Sequence, residues 1–242
     1  MRRIILGGLL LIAVFALPCS ILADDTIAKG DELFAQGGIE NLLKSGDIYA
    51  QALAANPTSY EAAWKAARSY REYCNESKQK GIAGWQDICK KFGKIGMQYG
   101  EKAIALNAKS VEGHFWFGCS VGNYSDGVSI LTALKEGLKD KTQNSFEQAY
   151  ALDKMYKNGG PVKALGRFWY VLPWPLNNKD KSMALLREYQ QLFPNDAEGQ
   201  VFLGELLIDT KNKDEAKILL QKAAASDKQY YSDWAKRLLA KL

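Results

Sequence analysis

His114 is the single histidine of the chain, so any acid–base or nucleophilic chemistry that needs an imidazole would have to be built on it. It stands beside Phe115 and Trp116, a setting that suits a packed helix residue better than a proton carrier. No serine or cysteine has a second histidine to activate it, and Asp153 lies where a helix has to stop. Four cysteines are present, but there is no C-x-x-C pair and no Cys/His cluster of zinc-site spacing. Cys74 and Cys89 flank a loop-like stretch that one disulfide could close, whereas Cys119 lies in an apolar run and reads as a small buried hydrophobe. Gly118 to Gly127 carries several glycines and hydroxyls without the Lys-Ser/Thr ending of a phosphate-binding loop, and reads as a connection between helices. Together these residues predict no catalytic centre, no metal and no cofactor.

Recognition by large side chains is the chemistry that remains. Six Trp, 12 Tyr and 9 Phe are present, and they crowd into Phe115-Trp116-Phe117 with Tyr124, and Phe168-Trp169-Tyr170 with Trp174. Successive helical residues point about 100° apart, so a consecutive triplet cannot share one face. At least one member of each triplet must meet a second surface, either another helix or an open groove. Trp116, Tyr124, Trp169, Tyr170 and Trp174 are the expected ligand- or partner-facing set.

The elements that would carry these residues are helical. The chain shows no sustained period-two alternation and no Asn-Gly or Asp-Gly hairpin between β-branched runs, so an all-α fold is expected. A phrase recurs at helix ends: Ala52-Leu53-Ala54-Ala55-Asn56-Pro57, Ala103-Ile104-Ala105-Leu106-Asn107, Ala149-Tyr150-Ala151-Leu152-Asp153, and Tyr189-Gln190-Gln191-Leu192-Phe193-Pro194. The stops at Asn56, Asn107, Asp153 and Asn195 follow one another at intervals of 51, 46 and 42 residues. The complementary halves begin at Ala63-Trp64, Phe115-Trp116, Ala164-Leu165-Gly166 and Phe202-Leu203-Gly204, where small residues let a partner helix approach. Asn158-Gly159-Gly160-Pro161 has the residues to end one helix and start another. Trp234, Leu238 and Leu239 mark a closing cap helix. The pattern resembles tetratricopeptide hairpins, with intervals longer than the ~34 residues of the ideal unit. Residues 24–242 are therefore read as one domain of about four such repeats plus the cap, forming a solenoid or a closed bundle.

Residues 1–23 differ in kind. Arg2-Arg3, an uncharged run from Ile4 to Leu17, and Ser20-Ile21-Leu22-Ala23 before two aspartates have the layout of an export leader cut after Ala23. The apolar run is shorter than the ~20 residues of a spanning helix. Lipid attachment at Cys19 is the rival, but Pro18 stands where a small residue is usual. Without the leader the net charge falls from +5 to +3 over 219 residues, spread along the chain with no basic block, which argues against nucleic acid as a partner.

More specific text lies in the second half. Tyr124, Ser129-Ile130-Leu131-Thr132-Ala133-Leu134, the run from Ala151 to Pro161, Leu165-Gly166-Arg167-Phe168-Trp169-Tyr170 and Pro173-Trp174-Pro175 occur in an order that resembles the TatT family. Those are tetratricopeptide components associated with periplasmic TRAP transporters. The resemblance runs from about Ala50 to the C-terminus. It implies a periplasmic helical bundle that docks a solute-binding protein and holds an apolar small molecule in a pocket or pore. Many members are lipoproteins, and Pro18-Cys19 departs from that pattern. The alternative expectation is a general scaffold for envelope assembly or other protein interactions, with no small-molecule ligand.

Overall fold

The computed structural model describes residues 19–242, with side chains from Asp25 onward; residues 1–18 of the expected leader lie outside the described residues. The order is α1 (Cys19–Gln36), α2 (Ile39–Ala55), α3 (Tyr60–Gln79), α4 (Trp85–Leu106), α5 (Val111–Val128), α6 (Ile130–Lys135), α7 (Leu138–Asp153), α8 (Tyr156–Val171), α9 (Lys179–Leu192), α10 (Ala197–Asp209), α11 (Lys213–Ala224) and α12 (Gln229–Leu239). No strand occurs among the described residues, and none of their helices is long and apolar enough to cross a membrane.

Short-range chemistry sets the helix boundaries. Asn56 and Asn107 are C-caps whose amides reach back to the Ala52 and Ala103 carbonyls, and Asp153 ends α7. Side-chain oxygens of Ser59, Asn178 and Asp196 accept the amides of Ala62, Lys181 and Gly199, satisfying donors that each new helix leaves free. Within α8, Lys157, Asn158 and Gly159 have φ of 49°, 55° and 71°, and the regular turns begin beyond them with Pro161 in the first turn. The stop-and-start read in Asn158-Gly159-Gly160-Pro161 is therefore present as a break inside one element.

Consecutive helices pack antiparallel, and the core follows the stack as neighbouring clusters rather than one central mass. Tyr49, Ala63 and Tyr70 anchor the N-terminal cluster, Phe115, Phe146 and Leu165 the middle one, and Leu203, Leu207 and Leu220 the C-terminal one. The closest crossing is α4 on α5. A Cβ at Gly93 would stand 2.6 Å from the Tyr124 amide nitrogen, and one at Gly100 would stand 2.8 Å from the Phe117 Cα. Gly127 of α5 meets the backbone of α4 at Lys90 in the same way. Small residues at these positions bring the two backbones together.

The stretch Gly118–Gly127 is not the connection expected from its composition. It is regular helix inside α5, where Gly118 and Gly127 are packing positions against Phe146 and the α4 backbone at Lys90, and the Ser120 and Ser125 hydroxyls are satisfied by the Trp116 and Val121 carbonyls at 2.8 Å.

Candidate functional site

α3, α5, α8, α10 and α12 together line a groove of about 470 Å³, with the α6–α7 segment forming the opposite rim. Apolar walls come from Val121 and Gly122 on α5, Ile130 and Leu134 across the mouth, Val171 on α8, Phe202 on α10 and Trp234 on α12. Arg167 lies flat among the aromatics, its guanidinium carbon 4.6 Å from the Phe202 ring centre and 5.3 Å from that of Trp234. Glu205 fixes it there through a 2.5 Å ion pair.

The floor is charged and largely neutralised from within. Arg71 Nη1 donates to Glu72 at 2.9 Å, and the Arg71 carbonyl accepts Asn123 Nδ2 at 2.8 Å. The Arg71 Nε is buried without a partner. Lys163 donates to Glu198 at 2.6 Å and to Asp196 at 3.2 Å, and Lys228 reaches Asp196 from the other side at 3.0 Å. Burial opposes the Lys163 ammonium, but Glu198 and Asp196 outweigh it and hold its pKa above the ordinary lysine value.

Asp196 has three tasks: it caps α10, pairs with Lys163 and pairs with Lys228. Burial pushes its carboxyl up, but Lys163, the Gly199 amide and Lys228 prevail and bring it to about 2. A depressed carboxylate stabilises the fold fully above the unfolded value near 4, and that contribution is lost as pH falls through about 2. Asp196→Asn keeps a capping oxygen but leaves Lys163 with Glu198 alone and takes the charge partner from Lys228. It is expected to cost on the order of 1–2 kcal/mol at neutral pH and to flatten the acid side of the stability curve. Thermal melts of both proteins from neutral pH down to roughly pH 2 measure the two effects.

The structure divides the five aromatics expected at the surface. Trp116 is 1% exposed yet is one of the residues that line the groove, its indole donating to the Tyr156 hydroxyl at 2.9 Å. Tyr124 is buried among α4–α7 and donates to Glu136 at 2.8 Å. Trp169 is buried beside Phe168, with Lys181 over its ring. Tyr170 is half-buried and donates to Asp209 at 3.0 Å. Trp174 is 85% exposed, on the loop between α8 and α9 and outside the groove. The second surface that each triplet requires is thus mostly a neighbouring helix. Phe115 and Trp116 enter the middle cluster, while Phe117 faces the one behind it.

His114 is buried away from the groove with Nε2 3.0 Å from the Ala108 carbonyl. Burial pushes the one thiol on the groove, Cys119, up to about 12, which keeps it protonated and a poor nucleophile. Cys74 and Cys89 are free thiols, both buried. Among the described residues no three His, Cys, Asp or Glu side chains are grouped to hold a metal. What the arrangement can do is bind: apolar walls take side chains, and a charged floor orients polar groups.

Residues 26–172, well over half of the chain, match the family model described as Regulator of microtubule dynamics protein 1-3. The chain belongs to this family. Residues 180–242 of this regulator-family chain match a tetratricopeptide repeat model. A comparison with curated proteins finds no match. Among solved structures, a tetratricopeptide protein of Thermus thermophilus, TTC0263, superposes with a TM-score of 0.61 at 18% identity, covering 90% of this chain and 99% of that one. PilF of Pseudomonas aeruginosa gives 0.59 at 12% identity, covering 92% and 89%. YrrB, described as a tetratricopeptide protein with an unusual peptide-binding site, gives 0.54 at 14% identity, covering 93% and 98%. These likenesses fix the fold as a tetratricopeptide solenoid. None of these matches is specific to the TatT family or to TRAP transport.

Proposed function

We propose that this chain is a non-enzymatic protein-interaction scaffold that holds a segment of a partner protein in the groove between α3, α5, α8, α10 and α12. The observation that carries the reading is the pairing of apolar walls with a charged floor whose ions are already matched. An apolar side chain of the partner would enter beside Phe202 and Trp234, and few such anchors supply most of the affinity in interfaces of this kind. The peptide-binding site ascribed to YrrB supports the same use of the fold.

A finer form of the reading makes the chain a periplasmic accessory of a TRAP-type transporter, docking a solute-binding protein. Its support is the resemblance of the motif order to that of the TatT family and the leader-like layout of residues 1–23. An apolar small molecule would also suit a space of about 470 Å³.

A photo-crosslinking amino acid placed in the living cell at Ile130 or Val171, on the groove, and at Ile218, exposed outside it, tests the proposal. Protein crosslinks are expected at the two groove positions and not at Ile218; crosslinks confined to Ile218, or equal at all three, would sink it. Capture of a solute-binding protein favours the transport accessory. Capture of another envelope protein favours a general scaffold, and a cytoskeletal protein would extend to this chain what the family's description says.

A further inference from the structure

Cys74 on α3 and Cys89 on α4 face each other across a hairpin whose turn is the short segment 80–84. Both are fully buried. The Cys89 sulfur lies 3.7 Å from the Cys74 carbonyl oxygen, and the Cys74 sulfur lies 3.8 Å from that of Ile88. Each sulfur therefore lies against the backbone at or next to the other cysteine, so the two thiols share one spot of the hairpin. Cys119 takes part in neither contact.

We infer that Cys74 and Cys89 join in a disulfide when the chain folds in an oxidising compartment, clamping α3 to α4 beneath the groove. The opposing reading is that both are small packing residues that stay reduced. Two observations favour the bridge, the reciprocal contacts and the location on two different helices, and the leader expected at residues 1–23 would deliver the chain to a compartment that permits disulfides. In the folded, reduced protein a hydrogen bond with the Cys74 thiol, opposed by burial and Asp126 and helped by Lys78 and Arg71, holds Cys89 below the ordinary thiol value, while the same contact and burial hold Cys74 above it.

With a disulfide oxidant such as oxidised glutathione, the thiolate of one cysteine attacks one sulfur and expels a glutathione thiolate. The other cysteine then loses its proton, attacks the protein sulfur of the mixed disulfide and expels the second glutathione. Two protein thiols give up two electrons, one glutathione disulfide becomes two thiols, and the two protons leave with them. Burial of both sulfurs places this reaction during folding, before the hairpin closes over them.

The bridge would tie down the part of α3 that presents Arg71, Glu72, Asn75 and Lys78 to the groove. Cys74 and Cys89 are 15 positions apart, a loop whose closure is expected to raise the Tm by roughly 5–10 °C. To test this, the full chain is reduced, unfolded and refolded in a glutathione redox buffer, then unfolded again, alkylated and peptide-mapped. The expected result is that the Cys74 and Cys89 peptides are recovered joined, with Cys119 alkylated. Alkylated Cys74 and Cys89, a stable glutathione adduct, or a bridge from either to another cysteine would overturn the inference. Cys119→Ser should leave the bridge intact, and its loss in that variant would count against it equally. A bridged protein that melts no higher than the reduced one would overturn the clamping role.

Discussion

Gly93→Val is expected to lower the Tm by roughly 10 °C or more, the largest single effect on stability among the substitutions considered. The cause is backbone against backbone. The Cβ of any larger residue would stand 2.6 Å from the Tyr124 nitrogen and 2.8 Å from its Cα, well inside van der Waals contact. Neither atom belongs to a flexible side chain that could swing aside, so α4 and α5 must separate. Replacing glycine by valine in a helix interior returns only about 0.3–0.5 kcal/mol of propensity, because β-branched valine is itself a weak helix former. Overpacking a tight site costs about 1–3 kcal/mol, and more where backbones must move, so the clash wins. Gly96→Ala is the informative comparison, because the Cβ there meets chiefly the Ser120 hydroxyl, which can rotate at the expense of one hydrogen bond to the Trp116 carbonyl while the backbones stay in place. Its loss should be several-fold smaller. Thermal denaturation of the three proteins decides the matter; equal melting points would mean that the crossing is looser than the structure shows.

Much of the fold was legible in the sequence because helix ends are written locally. Asn56, Asn107 and Asp153 stop their helices through atoms a few residues away, and the small residues opposite large side chains, such as Gly166 against Leu186, mark where hairpins close. The groove was not legible in that way. Its walls are assembled from Arg71 to Trp234, residues far apart in the chain, and nothing in the neighbourhood of Val171 or Phe202 signals that they share a cavity. The aromatics could not be placed from sequence for a related reason. Size and clustering say that Trp116 and Trp169 matter, but whether a tryptophan faces a groove or a neighbouring helix depends on the crossing of distant elements. Composition misled at Gly118–Gly127, where glycines suggested a turn. There the hydroxyls bond back along the helix, and Gly118 and Gly127 sit against Phe146 and α4.

Gly122 separates the requirements of the fold from those of the groove. It lies in α5 with nothing within 4 Å of where its Cβ would be, and it forms part of the groove wall. Gly122→Ala should therefore raise stability by about 0.5–1 kcal/mol through helix propensity alone. Gly122→Leu should keep most of that gain, since leucine is a strong helix former, while its side chain projects into the space between Val121 and the far rim. An anchor residue of the partner would then meet a filled pocket. Anchors of this kind are worth about 2 kcal/mol or more, so a partner captured at Ile130 or Val171 should bind the leucine variant at least roughly 30-fold more weakly. Melting curves and the affinity for that partner are read on the same two variants. A leucine variant as stable as the parent, with affinity lost, assigns the groove to binding. Unchanged affinity in a folded leucine variant would move the binding surface elsewhere, and the exposed Trp174 on the α8–α9 loop would become the first position to replace.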